Sequence, residues 1–256
     1  MTLIIAHRGN SSAAPENTLA SFDSAIDHGA TLIECDVQMT ADGHIVVIHD
    51  PTLDRTSDSA GDVRFMSLAE VKAADVSCPK TFGAKFSPQR AATLGEVLAY
   101  LKGRARVLLE IKKESSRPDN DEFERRIAAA IVKSGFHVSP DMETDIALLS
   151  FATPVLERMA AILPDAPRGH LFYRDPEDLM FDAAQRAKAS FVMPEKGGLS
   201  PGLVERAKQR SLRVATWVCD DPAEFKELSR LGLLGIGTNR PALMLDAVTP
   251  SDASRS

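Results

Sequence analysis

Leu32-Ile33-Glu34-Cys35-Asp36-Val37 is the stretch on which the fold turns. An apolar run carries two carboxylates two residues apart, and on a strand such residues share one face. Glu34 and Asp36 therefore emerge together, and Cys35 points the other way, towards covering helices. Working outward from this stretch, short apolar runs recur at residues 3–6, 107–111, 146–150, 169–172, 190–193, 213–218 and 234–238, which makes eight with 32–37. Helical patterns fill the gaps: Leu19, Phe22 and Ile26 at spacings of three and four, then residues 123–132, 154–162, 203–209, 223–231 and 241–248. Eight strand–helix alternations in roughly 250 residues predict a parallel α/β TIM barrel, (β/α)8.

One region departs from the alternation. Residues 45–49 read as an extra short strand reached through the turn Asp42-Gly43, and residues 51–93 are irregular, rich in Asp, Ser, Thr, Pro and Gly. A structureless loop of that length is uncommon inside a compact domain. The expectation is a small inserted subdomain after the second strand, on the side where the βα-loops of such barrels carry chemistry. The organisation is then one barrel over residues 1–248, a cap at about 51–93, and a disordered polar tail at 249–256.

Composition narrows the partners. The 256 residues are 44% hydrophobic and 26% charged, which suits a globular chain, and a formal charge of −6 disfavours a nucleic-acid partner. No run approaches the length of a membrane span. The N-terminal segment reads as a buried strand rather than a signal peptide. Cys35, Cys78 and Cys219 have no metal-ligand spacing. Reduced thiols and a cytoplasmic location are the expectation.

The charged strand ends carry the chemistry. Two inward carboxylates repel unless a cation or a proton stands between them. Oxygen-only ligation suits Mg²⁺ or Ca²⁺. On this pair alone, a solvated strand end is an equal reading. Leu108-Leu109-Glu110-Ile111-Lys112 then repeats the pattern, with Glu110 and Lys112 on one face of a run otherwise apolar on both sides, and that favours a site. His7 and Arg8 close the first strand, and Gly9 permits a tight turn. Arg8 can fork onto phosphate oxygens. His49 follows the extra strand, and with His7 it offers an acid–base pair near neutral pH. His28, His44 and His137 fit ordinary surface or structural positions, and His170 faces either way. Pro15-Glu16-Asn17-Thr18 opens a helix by stop-and-cap chemistry and leaves Glu16 and Asn17 free to brace the site. Trp217, the single tryptophan, fills the core or walls a ligand.

Ala6-His7-Arg8-Gly9, Pro15-Glu16-Asn17-Thr18, Glu34-Cys35-Asp36 and His49-Asp50, in that order, resemble the glycerophosphodiester phosphodiesterase family. The resemblance spans nearly the whole chain and is densest over residues 5–61. It implies a TIM barrel with a subdomain inserted after the second strand and a divalent cation, Mg²⁺ or Ca²⁺, on Glu34, Asp36 and Glu110. It further implies catalytic histidines at His7 and His49 and phosphate-binding cations at Arg8 and Lys112. Ser150-Phe151 matches the family's Ser-Phe, and Trp217 its late-strand aromatic. Two places depart from the family. Thr238-Asn239-Arg240-Pro241 stands where the family has Thr-Asp-x-Pro, and residues 57–61 after Arg55-Thr56 differ.

The implied activity is metal-dependent hydrolysis of a small glycerophosphodiester to glycerol 3-phosphate and an alcohol, with His7 as base and His49 as acid. Two alternatives stand beside it. One is a phospholipase D or lysophospholipase D type of lipid phosphodiesterase, with Phe65, Met66, Phe82 and Phe86 as an apolar lip. The other is a non-catalytic ligand-binding barrel.

Overall fold

A computed structural model of the chain describes residues 2–141, 143–174 and 177–248; the expected tail at 249–256 lies outside them. In chain order the elements are β1 (Leu3–His7), α1 (Leu19–Asp27), β2 (Leu32–Met39), β3 (Ile45–Val47), α2 (Leu68–Ala73), α3 (Pro79–Phe82), α4 (Leu94–Leu101), β4 (Arg106–Ile111), α5 (Glu122–Ser134), β5 (Ile146–Ser150), α6 (Thr153–Ile162), β6 (Arg168–Phe172), α7 (Glu177–Arg186), β7 (Phe191–Pro194), α8 (Pro201–Gln209), β8 (Arg213–Thr216), α9 (Pro222–Ser229), β9 (Gly235–Thr238) and α10 (Pro241–Val248). Among the described residues, eight strands run parallel in the order β1-β9-β8-β7-β6-β5-β4-β2, and the β1–β2 pairing closes the ring. The fold is a TIM barrel. β3 is outside the ring, antiparallel to β2, with Val37 opposite Val47.

Strand alternation divides the core in two. Ile5, Leu32, Leu108, Leu149, Leu171, Phe191, Met193 and Ala215 fill the barrel interior. The other parity faces the helices: Ile33, Cys35, Val107, Leu109 and Ile111 pack with Phe22, Leu98, Phe123 and Ile127. Space inside is tight enough to require glycine at one wall position. A Cβ on Gly169 would fall 2.1 Å from the Phe191 ring, so the phenyl occupies what a side chain would fill. Leu109, fully buried between strand and helices, illustrates the energetics: its truncation to alanine costs about 2–5 kcal/mol.

Between β3 and α4 the chain runs through a 3₁₀ turn (Val63–Phe65), α2 and α3. In this stretch Leu53, Val63, Val71 and Val76 pack with Val46 and Ile48 in a small apolar cluster. Ser67 and Glu70 cap α2 reciprocally, as Thr93 and Glu96 cap α4. At α1, Thr18 accepts from Ser21 N, so the Asn17 side chain is free for the barrel mouth.

Candidate active site

The inward parity of each strand continues past its last apolar residue into the mouth. After Ile5 comes His7, after Leu32 come Glu34 and Asp36, and after Leu108 come Glu110 and Lys112. Across the ring, Leu149, Leu171 and Ala215 are followed by Phe151, Tyr173 and Trp217. The mouth therefore has a charged half on β1, β2 and β4 and an aromatic half on β5, β6 and β8. Phe151 and Tyr173 stack with centroids 4.8 Å apart, and Trp217 meets them edge-on at 5.7 and 5.6 Å. The indole N–H of Trp217 donates to the Met193 carbonyl at 3.1 Å.

Register alone brings the three acids together: His7 pairs with Glu34, and Asp36 with Glu110. One carboxylate oxygen from each of Glu34, Asp36 and Glu110 lies within 4.8 Å of the others, and all three residues are buried. Burial, then the neighbouring acids, pushes Glu34 well above the usual carboxylate range, and the same causes lift Glu110 to about 7. Asp36 goes the other way. Burial would raise it, but Lys112 and Arg8 outweigh that and hold it well below its ordinary value. Lys112 Nζ stands 2.8 Å from Asp36 Oδ1 and 2.5 Å from Glu110 Oε1, and Arg8 Nε stands 3.2 Å from Asp36 Oδ2.

Glu34 Oε1 is buried and accepts no hydrogen bond, whereas Asp36 Oδ1 is met by the Lys112 ammonium at 2.8 Å. A buried carboxylate oxygen left without a partner is costly. Such an oxygen on Glu34, facing two further acids, suits a divalent cation, and all the donors are the hard oxygens that Mg²⁺ and Ca²⁺ prefer. The triad fits a metal.

Backbone geometry presents Arg8. Arg8 and Gly9 both adopt left-handed backbone, with φ +57° and +82°, and a Cβ on Gly9 would fall 2.6 Å from the Ser21 carbonyl carbon. That turn aims the Arg8 N–H at Glu34 Oε2, 2.9 Å away. Asn17 braces Asp36 from both ends: its amide donates to Oδ2 at 2.8 Å, and its oxygen accepts from the Asp36 backbone N–H at 3.2 Å. Glu16 accepts from Arg8 Nη1 at 3.0 Å.

The two histidines differ in setting. His7 Nδ1 lies 2.8 Å from Asn239 Oδ1. Burial first, then the Arg8 charge, lowers its pKa to about 4. His49 is more open, and its Nδ1 lies 2.6 Å from Asp50 Oδ1. Burial lowers it as well, with Lys112 and Arg8 adding to that against Asp36 and Asp50.

All ten residues expected from the sequence reach the mouth or brace it. Other histidines do not. His170 faces the helices, stacked on Phe172 at 4.2 Å with Nε2 2.8 Å from Thr153 Oγ1. The sequence left further contributors unassigned, Tyr173 of the aromatic half among them. Asp50 adjoins His49 and was readable from that adjacency. Arg55 reaches back to Asp50 and Glu16. Asp220, which holds Asn239, has no local signal at all. The expected apolar lip is not continuous: Phe65 lines an outer groove with Arg117 and Arg126, whereas Phe82 and Phe86 pack edge-to-face at 5.3 Å.

Barrel and mouth together are those of a phosphoric diester hydrolase. The chain belongs to the glycerophosphodiester phosphodiesterases, since residues 7–243 match the model of the Glycerophosphoryl diester phosphodiesterase family. It is 34% identical over 247 residues to a glycerophosphodiester phosphodiesterase of Caldanaerobacter subterraneus, covering 96% of this chain and 98% of the other. Among solved structures it is similar to a glycerophosphodiester phosphodiesterase from Agrobacterium tumefaciens, with TM-score 0.80, 29% identity and coverage of 96% and 100%. It is also similar to an Oleispira antarctica phosphodiesterase solved with its product sn-glycerol-3-phosphate, with TM-score 0.83, 25% identity and 97% coverage of both chains. Among the described residues, no helix is long and apolar enough to cross a membrane.

Proposed function

We infer that the chain hydrolyses small glycerophosphodiesters to glycerol 3-phosphate and a free alcohol, with a divalent cation on Glu34, Asp36 and Glu110. The observation that carries this is the meeting of three buried acids, two histidines and two cations on one half of a barrel mouth. Mg²⁺ or Ca²⁺ at the acids would bind phosphate oxygen and lower the pKa of a coordinated hydroxyl. Arg8 and Lys112 take the remaining phosphate charge and stabilise what builds on phosphorus.

The protons are left to the histidines. His7 carries its Nδ1 proton towards Asn239, so Nε2 is the free base and takes a proton from the attacking oxygen, whether water or the neighbouring glycerol hydroxyl. As the new P–O bond forms and the old one breaks, His49 Nε2 gives a proton to the departing alkoxide. A water then returns both histidines to their starting states, directly or by opening a cyclic phosphate. The low pKa of His7 suits the base, and the carboxylate partner of His49 suits the acid. Trp217, Phe151 and Tyr173 form an apolar wall for the carbon face of glycerol.

Residues 51–93 act as the cap of a single barrel unit, setting which head group enters. Three free, buried cysteines fit a reducing, cytoplasmic setting. The test is release of sn-glycerol 3-phosphate by the purified protein from glycerophosphodiesters bearing choline, ethanolamine or glycerol, with Mg²⁺ or Ca²⁺ present. Turnover of at least one supports the reading, and no release from any of them ends it.

A further inference from the structure

Arg55 stands on the inserted subdomain, yet both of its partners belong to the barrel. Its Nη1 and Nη2 donate to Glu16 Oε2 and Oε1 at 2.6 and 2.8 Å. Its Nε and Nη2 donate to Asp50 Oδ2 and Oδ1 at 2.6 and 3.0 Å. Each carboxylate also holds a residue of the site: Glu16 Oε1 accepts from Arg8 Nη1 at 3.0 Å, and Asp50 Oδ1 meets His49 Nδ1 at 2.6 Å. One guanidinium therefore closes a chain that runs His49, Asp50, Arg55, Glu16, Arg8, Asp36.

Two features separate this from an ordinary surface ion pair. The first is geometry. Both oxygens of both carboxylates are engaged, so each carboxylate plane is fixed, and with it the imidazole and the guanidinium beyond. A planar fork with donors on two edges can do this and an ammonium cannot. The second is anchorage. Leu53 is fully buried in the subdomain's core, Ser57 N donates to the Leu53 carbonyl at 3.0 Å, and Cys78 N donates to the Thr56 carbonyl at 3.0 Å. Arg55 thus projects from a pinned turn. Its side chain is 49% exposed, and exposed pairs add little to folding stability, so the arrangement matters for orientation.

We propose that Arg55 is a positioning residue, through which the inserted subdomain aligns the acid His49, by way of Asp50, and the phosphate ligand Arg8, by way of Glu16. The proposal rests on the roles given to His49 and Arg8 above. It makes the subdomain a participant in the reaction as well as a cap on the entrance.

The two arms of the chain predict separable kinetics. Turnover is measured on glycerophosphocholine, whose leaving alcohol needs a proton, and on the p-nitrophenyl ester of glycerol phosphate, whose leaving group does not. Asp50→Asn lowers kcat about 10- to 10²-fold on the first and little on the second, since misaligned catalytic groups lose rates of this order. Glu16→Gln raises KM on both. Arg55→Gln does both, Arg55→Lys fails to restore either, and adding Arg55→Gln to the Glu16→Gln/Asp50→Asn double variant changes nothing further. Melting temperatures confirm that each variant is folded, and Arg55→Lys, the mildest change, serves if Arg55→Gln does not fold. Full activity in Arg55→Lys, or an Arg55→Gln variant within twofold of wild type in both constants, overturns the proposal. So does an equal loss of kcat on the two substrates. A wild-type protein that turns over neither substrate sinks the functional reading instead, so the two failures are distinguishable.

Discussion

His7 and Asn239 face each other across the barrel seam, Nδ1 to Oδ1 at 2.8 Å. The amide cannot turn round, because its Nδ2 donates to Asp220 Oδ2 at 2.7 Å and a carboxylate there only accepts. Ser11 Oγ donates to the same Asn239 oxygen at 3.0 Å. Asn239 Oδ1 is thus an acceptor held against His7, and it selects the tautomer with the proton on Nδ1. This is the position where the family pattern has Asp. The negative charge stands one residue further out, on Asp220, so the ring is oriented without a carboxylate to stabilise its charged form.

Exchanging those two groups separates orientation from charge. Asn239→Asp alone sets two carboxylates against each other, and the lost amide donor should destabilise the fold by about 1–3 kcal/mol, read as a lower melting temperature. Asn239→Asp combined with Asp220→Asn restores the hydrogen bond with the charge now beside His7. A neighbouring carboxylate favours the protonated ring, so the His7 pKa rises from about 4. A base must be unprotonated, so the acid limb of the kcat/KM profile should move to higher pH in the double variant. An unmoved acid limb in a stable double variant removes His7 from that limb.

The barrel was legible because its strands are apolar on both faces and end in charge of one parity, which Glu34 and Asp36 announce at once. The break in the alternation after β3 was legible as irregular sequence, and α2 had a signal in Ser67 with Glu70, the two halves of a reciprocal cap. Asn17 was legible as a residue free to brace the site, though not which acid it holds. Its left-handed backbone, φ +58°, and its bond to Asp36 are tertiary effects. Asn239 meets His7 across 232 residues of chain, and Asp220 reaches Asn239 only once the barrel closes. Such pairings leave no local periodicity to read. Arg55 has a local signal in Arg55-Thr56, but its contacts to Asp50 and Glu16 depend on how residues after β3 pack against the barrel.

Metal removal gives a direct prediction. Chelation with EDTA should abolish turnover, and Mg²⁺ or Ca²⁺ should restore it. An ion that binds only the folded state stabilises it by about 2.7 kcal/mol at a hundredfold excess over Kd, so adding the ion should raise the wild-type melting temperature. Glu34→Gln and Asp36→Asn should lose that rise and the activity. Glu34→Gln should melt no lower than the metal-free wild type, because a buried carboxylate with an unpartnered oxygen has been neutralised. Undiminished activity under thorough chelation would falsify the metal site.

The pH dependence on the other limb follows from Asp50. Its own pKa is held at about 2: burial would raise it, but hydrogen bonds from Arg55 and His49 prevail. It is therefore ionised wherever the enzyme works and favours the charged form of His49. Asp50→Asn removes that support, so His49 loses its proton at lower pH. An acid must be protonated to act, and the alkaline limb of the kcat/KM profile should move down, while the limb set by His7 stays. A shift upward, or movement of the acid limb alone, assigns the alkaline limb to another group.

The histidines themselves can be told apart by the leaving group. General acid or base catalysis contributes about 10²–10⁴-fold, so His7→Ala and His49→Ala should each lower kcat by that order on a glycerophosphodiester with an alkyl alcohol. On a p-nitrophenyl diester the phenolate departs without a proton, and only the base is still needed. His49→Ala should recover most of its rate there, and His7→Ala should remain slow on both substrates. The geometry favours this order, since His7 is fixed with Nε2 free by a neutral acceptor, whereas His49 has a carboxylate to support its proton. Rescue of His7→Ala instead reverses the roles. Equal losses for both variants on both substrates would mean that the pair holds the site together and moves no proton.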